Sequence, residues 1–189
     1  MRSPLLEALG FEPVAKPSDI YYTPRKTVEA LFDDSPPPRS ARVLDPCAGN
    51  GAILEVARER GYHTEAVELR AVEEAVLQRR ADRVTIGDWI KLAWSYRPRP
   101  DAIVTNPPFS IAREIVEVSL GTGCPWCAFL LRCNTLGSST WRKFWAAHGP
   151  SRLRMVKRPS FSADGKTDAS DYLWALWIEG EPTLDLRPA

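Results

Sequence analysis

The stretch VLDPCAGNGAILEVA, residues 43–57, decides the fold. It begins apolar, reaches Asp45, passes through small residues, and resumes with apolar positions at helical spacing. A strand, a tight turn and a helix in that order open an α/β unit. Gly49 and Gly51 let the backbone pass close to a ligand at the start of the helix, where N–H groups lack partners. The pattern is GxGxxL, with Leu54 where a dinucleotide fingerprint wants a third small residue. A GxG alone suits a plain strand-to-helix turn equally well, so the decision rests on what surrounds it.

Working outward, the chain alternates. Strands are expected at 41–46, 63–69, 83–88, 101–106 and 127–133. Helices are expected at 50–61, 71–81, around Trp89, at 111–120 and at 140–149. Two last strands, 153–158 and 172–178, have no long helix between them, so they read as a hairpin with a long loop. The fold class is therefore α/β, a doubly wound, mostly parallel sheet of seven strands with an antiparallel C-terminal hairpin. Upstream, SDIYYTPRKTVEALF (18–32) reads as a loop feeding a helix, with Thr23 as N-cap and Pro24 at the first helical position. DDSPPPRS (33–40) is a stiff linker. The expected division is an N-terminal arm at 1–40, a catalytic domain at 41–180 and a tail at 181–189.

The 189 residues suit one domain, and 44% hydrophobic with 26% charged residues is the composition of a soluble globular chain. No apolar run approaches the roughly 18 residues of a membrane span. Pro4 and Glu7 interrupt the apolar core that a signal peptide needs, which places the chain in the cytoplasm. Cys124 and Cys127 form one CxxC, with Cys133 nearby and Cys47 remote. A structural zinc site needs four ligands at paired spacings, so these are read as small thiols packed beside a strand, and no metal is expected. Net charge is +1, yet Val118 to Ala163 contains no Asp or Glu while holding Arg132, Arg142, Lys143, Arg152, Arg154, Lys157 and Arg158. A basic region on an otherwise acidic chain points to an anionic partner.

Three acids stand at the carboxyl ends of successive strands. Asp45 ends the first, Glu68 the second, and Asp88 follows the third with Trp89 beside it. In open α/β sheets that rim is where ligands bind. Glu68 can accept ribose hydroxyls, Asp88 an adenine amino group, and Trp89 can cover the ring. An acid ahead of the glycines repels a pyrophosphate and attracts an ammonium or sulfonium, which favours S-adenosylmethionine over NAD or ATP. No GxxxxGK[ST] stretch is present.

The fourth strand ends in NPPF, residues 106–109. Here the chain resembles the S-adenosylmethionine-dependent methyltransferases that act on exocyclic amino groups, including the N6-adenine DNA methyltransferases. The order YYTP, DPCAGNG, AVEL, GDW, NPPF is similar to their gamma subgroup. FLLRCNTLGSSTWRKFW and RPSFSADGKTDASDYLWALW look like small phage and prophage members. The resemblance spans about residues 20–178 and implies the Rossmann-like class I methyltransferase fold. It further implies that Tyr22 and Thr23 hold the methionine part of the cofactor, that Asp45, Ala48, Gly49 and Gly51 line it, and that Glu68, Asp88 and Trp89 take the nucleoside, with Asn106 between cofactor and substrate.

The chemistry suits these residues. An aromatic amine is a poor nucleophile because its lone pair is delocalised into the ring. The side-chain oxygen of Asn106 and the carbonyl of Pro107 can accept its hydrogens and favour a pyramidal nitrogen. Pro107 and Pro108 stiffen the backbone that holds them. Phe109 can stack on a base that has left its helix. The enzyme is then expected to methylate N6 of adenine in DNA, single-stranded or with a flipped base, as a monomer or homodimer.

Only 80 residues follow Phe109, too few for a separate target-recognition domain. Specificity would rest on loops 134–150 and 159–170, and would be relaxed or short. Arg142 and Lys143 lie among Trp141, Phe144 and Trp145, a pattern that suits an unstacked strand or an amphipathic helix with buried tryptophans. Arg158 and Phe161 border the same rim, and Phe161 would be a second wall of the base pocket by resemblance. Three alternatives stay open: methylation of RNA at adenine N6 or guanine N2, methylation of a protein glutamine amide, or nucleic-acid binding without catalysis.

Overall fold

The computed structural model describes residues 19–161 and 169–186. Residues 1–18 of the expected arm, 162–168 of the expected recognition loop and 187–189 of the expected tail lie outside them. The elements follow the expected alternation. Helix α1 is Arg25–Asp34. Then come β1 (Arg42–Asp45), α2 (Ala52–Glu59) and β2 (His63–Glu68). A single 3-10 turn, Ala71–Glu73, feeds α3 (Glu74–Arg80), and β3 (Arg83–Ile86) precedes the short α4 (Trp89–Leu92). Strand β4 (Ala102–Thr105) is followed by a 3-10 turn at Phe109–Ile111 and by α5 (Ala112–Gly121). Strand β5 (Trp126–Arg132) leads through a turn at Cys133–Thr135 to α6 (Arg142–Ala147). Strands β6 (Arg152–Val156) and β7 (Tyr172–Ile178) complete the sheet.

The sheet has seven strands in the order β3-β2-β1-β4-β5-β7-β6. Strands β1 to β5 pair in parallel, and β7 pairs antiparallel with both β5 and β6. The expected hairpin is thus present, with its second arm slotted between β5 and the first. Strand order reverses where β1 has β2 on one side and β4 on the other, and this opens a crevice at their carboxyl ends.

Strand side chains alternate between two apolar layers, as the pleat requires. Val43, Ala66, Val104, Leu130 and Trp174 face Val28 and Leu31 of α1, Ile53 and Leu54 of α2, and Leu77 of α3. Leu44, Val67, Ile103, Phe129 and Leu173 face Trp89 of α4, Ile115 and Val116 of α5, and Phe144 and Trp145 of α6. A sheet covered on both sides needs strands that are apolar throughout, which is why β4 reads AIVT and is buried at every position.

One local expectation is corrected. Pro24, not Thr23, holds the N-cap of α1, with an extended ψ of 136° and no side-chain cap. The Pro24 carbonyl receives the Thr27 N–H at 2.9 Å, while Thr23 is buried. The proline reaches extended ψ without strain and hands the first helical position to Arg25.

Candidate nucleotide-cofactor cleft and acceptor site

Asp45 ends β1 and is only 1% exposed. The Cys47 N–H donates to its Oδ1 at 3.0 Å. Burial pushes its carboxyl up to about 7; the Thr105 hydroxyl and the Cys47 N–H oppose the rise, and the charge of Glu68 adds to it. Proximity to Asp45 and Glu68 adds to burial in raising the Cys47 thiol as well.

The glycine turn is built for close approach. Gly49 has φ +53° and donates its N–H to Glu68 Oε2 at 2.7 Å. A Cβ there would lie 3.4 Å from the Tyr22 ring. Gly51 has φ +82°, and a Cβ would stand 3.1 Å from Leu77 Cδ2 and 3.2 Å from Arg80 Cβ. Gly49 therefore serves the cleft wall, and Gly51 serves the packing of α2 on α3.

Glu68 ends β2 and is almost wholly buried. Besides Gly49, it accepts from the Arg70 backbone N–H and from Arg70 Nε, each at 2.9 Å. Arg70 also pairs with Glu73 at 3.1 Å. Tyr22 donates its hydroxyl to the same Glu73 oxygen at 2.6 Å, and that carboxylate holds the Tyr22 phenol above its ordinary pKa. On the opposite wall, Asn106 Nδ2 donates to the Tyr21 carbonyl at 3.2 Å, and the Ser110 N–H donates to Asp19 Oδ2 at 2.7 Å. Residues 19–22 thus span the crevice from the β4 tip to the loop after β2.

Beneath this strap is a cleft of about 250 Å³. It brings together eight of the expected residues: Tyr22, Gly49, Glu68, Asp88, Trp89, Asn106, Pro107 and Pro108. Thr23, Asp45, Ala48 and Gly51 are not on its wall. Tyr21 and Tyr22 both line it, Tyr21 through its link to Asn106 and Tyr22 through Gly49 and Glu73. Asp19, Ile20, Cys47 and Arg70 line it too, beyond what the sequence leads one to expect. Asp19 adjoins the tyrosine pair and Arg70 follows Glu68 by two, so adjacency is the one signal that points to them.

Asp88 caps α4 by accepting the Ile90 N–H at 3.0 Å. The Trp89 indole donates to Ser119 Oγ at 2.9 Å and packs edge-on against Tyr96, 5.6 Å between centroids. Its ring forms part of the core behind the cleft rather than a free cover. Asn106 is the decisive residue. Its amide nitrogen is committed to Tyr21, which fixes the amide orientation, and its Oδ1 is buried with no hydrogen-bond partner among the described residues. A buried carbonyl left in that state costs about 1–3 kcal/mol, which a ligand N–H would recover.

Phe109 turns away from this cleft and borders a second one of about 200 Å³, with Arg132, Asn134 and Trp141. The Arg132 guanidinium lies 4.1 Å from its centroid, and Tyr21, Tyr172 and Phe161 stand at 5.0, 5.6 and 6.3 Å. One ring face is therefore already covered by a cation. Phe161 belongs to this aromatic cluster.

The remaining basic residues separate. Arg142 and Lys143 are exposed on α6, while Trp141, Phe144 and Trp145 are buried beneath it. Trp141 and Trp145 stack at 5.1 Å, and Trp145 Nε1 donates to the Thr135 carbonyl at 2.9 Å. The interleaved aromatics are core, because a helix with this spacing puts them on one face and the cations on the other. Arg158 pairs with Asp171 at 2.7 Å, Arg154 with Asp34 at 2.6 Å, and Arg152 with Glu181. The acid-free segment is thus partly neutralised by acids from elsewhere. Among the described residues no cluster of three His, Cys, Asp or Glu could hold a metal, and no helix is long and apolar enough to cross a membrane.

The strand order with its single reversed strand is the Rossmann-like fold of class I methyltransferases, and solved structures with that fold match the chain. A Pyrococcus horikoshii protein proposed to be an RNA methyltransferase superposes with a TM-score of 0.68 at 16% identity, covering 92% of this chain and 95% of that one. The methyltransferase subunit of a type I restriction-modification system from Streptococcus thermophilus gives 0.64 at 12%, covering 86% of this chain and 45% of that one. An RNA methyltransferase from Salinibacter ruber, solved with S-adenosyl-L-homocysteine, gives 0.54 at 14%, covering 88% and 99%. At such identities the likeness is one of fold. No family model and no curated protein matches the sequence.

Proposed function

We propose that this chain transfers a methyl group from S-adenosylmethionine to the exocyclic N6 amino group of adenine in DNA. The observation that carries the proposal is the buried, unpartnered Oδ1 of Asn106, held beside Pro107 and Pro108 at the wall of the cleft. An acceptor-only atom in a stiff setting suits a planar NH2 group, and it asks for no titrating base.

The cleft residues fit the cofactor. Gly49 leaves the space that a Cβ would fill, and Glu68 and Asp88 give the rim a negative character that suits a cationic ligand. A carboxylate has about four lone-pair sites, so Glu68 can keep Gly49 and Arg70 and still accept a hydroxyl. When bound, S-adenosylmethionine supplies an electrophilic methyl group on a sulfonium sulfur. Asn106 Oδ1 and the Pro107 carbonyl would accept hydrogen bonds from the two amine hydrogens, which frees the nitrogen lone pair, and the methylated nitrogen would then release one proton to solvent. The Tyr21 carbonyl keeps the Asn106 amide from rotating. Phe109, on the far side of the motif, offers its ring to the base. A nucleic-acid acceptor is favoured over a protein amide by Arg142 and Lys143, exposed directly after Trp141 of the second cavity's lining.

The test is to incubate the protein with labelled S-adenosylmethionine and DNA, RNA or protein acceptors, then identify the product by mass. N6-methyladenine in DNA is expected; label only in RNA, only in protein, or nowhere despite cofactor binding overturns the proposal. Asn106→Ala should cut transfer about 100-fold or more while leaving S-adenosylhomocysteine affinity within a few-fold.

A further inference from the structure

We infer that the Asp19 carboxylate receives the α-ammonium group of the cofactor's amino-acid tail. This deepens the proposed function and rests on its reading of the first cleft as a site for S-adenosylmethionine. The residues singled out by resemblance leave that tail without a charged partner. Thr23, Asp45, Ala48 and Gly51 are not on the cleft wall, and the Tyr22 hydroxyl donates to Glu73.

Among the described residues the wall carries three carboxylates, Asp19, Glu68 and Asp88, and they stand at two ends of the cleft. Glu68 ends β2 and Asp88 follows β3, whereas Asp19 Oδ2 accepts the Ser110 N–H at 2.7 Å, beyond the tip of β4. In the order β3-β2-β1-β4 these two ends are separated by β1 and its Gly49 turn. A nucleoside held by Glu68 and Asp88 therefore extends its tail over Gly49 toward β4, past Asn106. That tail carries a sulfonium, then an ammonium and a carboxylate. Arg70, the one cation on the wall among the described residues, sits at the nucleoside end and pairs with Glu68 and Glu73. The end beside Asp19 thus offers an anion and no cation, so the ammonium is the charge it can recognise. A carboxylate has about four lone-pair sites, so Asp19 can keep Ser110 and still accept an ammonium N–H. Its backbone is held in turn: two residues on, the Tyr21 carbonyl accepts Asn106 Nδ2 at 3.2 Å. An acid at a rim is not by itself a site. Here the buried Oδ1 of Asn106, without a partner among the described residues, lies at the same end of the cleft and independently calls for an occupant.

The test measures binding of three probes: S-adenosylhomocysteine, the same molecule lacking its α-amino group, and 5′-methylthioadenosine, which lacks the amino-acid tail. Asp19 is half-buried, so solvent screens the pair, and the unaltered protein should prefer S-adenosylhomocysteine over the desamino compound by about three- to tenfold. Asp19→Asn should abolish that preference and Asp19→Glu should keep part of it, with 5′-methylthioadenosine affinity unchanged in both. Equal binding of the first two probes to the unaltered protein overturns the proposal, and that comparison stands whether or not the variants fold. A preference that survives in Asp19→Asn overturns it as well. So does an equal loss of 5′-methylthioadenosine binding in that variant, which would make Asp19 a support of the strap alone. Failure of the unaltered protein to bind either S-adenosylhomocysteine or 5′-methylthioadenosine would instead sink the cofactor reading beneath it.

Discussion

Asp45, buried behind the cleft wall, ties pH to stability and, on the proposed function, to cofactor binding as well. Its carboxyl is raised to about 7, chiefly by burial, so it is substantially protonated in mildly acidic solution. A cationic cofactor prefers the ionised form. S-adenosylmethionine affinity should therefore weaken as pH falls through about 7, and Asp45→Asn should flatten that dependence; calorimetry across roughly pH 5–8 reads it. Stability moves the other way. The folded chain keeps a proton that the unfolded chain, with an aspartate pKa near 3.9, has released. This contribution is full below about 4 and is lost as pH rises through 7. Denaturation of the unaltered protein minus that of Asp45→Asn isolates the slope. Gly49 is legible in the sequence as a close-approach glycine, whereas the unpartnered Asn106 oxygen is not. Its state depends on Tyr21, which lies 85 positions away.

Helix α6 shows what an element's pattern reveals and what it leaves open. The sequence displays Trp141, Arg142, Lys143, Phe144 and Trp145 in a row. Helical geometry then sorts them, because only positions three or four apart share a face. Trp145→Ala should cost about 3–5 kcal/mol in chemical denaturation, as expected for an aromatic removed from a packed layer. The paired change Arg142→Ala with Lys143→Ala should leave stability unchanged. It should weaken DNA binding across sequences and reduce the salt slope by about 2, one for each phosphate that no longer has its cation. The strap of residues 19–22 is half legible. Resemblance singles out YYTP as a functional segment, but its ties to Glu73, Asn106 and Ser110 join distant residues and leave no local pattern.

At the scale of the molecule, alternating strands and helices are enough to give the parallel sheet and its reversed hairpin. The insertion of β7 between β5 and β6 follows from hydrophobicity: YLWALWI is apolar at every position and needs cover on both faces, whereas β6 carries Arg152 and Arg154 and can stand at an edge. Nearly all the described elements belong to this sheet and its two layers, and the proposed function assigns target reading to loops at its rim. Methylated adenines mapped by sequencing should then show a short or relaxed motif, and a strict six-base-pair site would refute this. The order of synthesis gives β7 a further consequence. Strand β7 is made after both of its neighbours, and until it arrives the Trp126–Arg132 strand lacks a partner along one edge and the Arg152–Val156 strand lacks its one partner in the described sheet. A nascent chain halted before Tyr172 would expose those edges to neighbouring chains. Completion of the sheet therefore waits on Tyr172–Ile178, and a product shortened before that segment is expected to aggregate rather than persist as a partly folded chain.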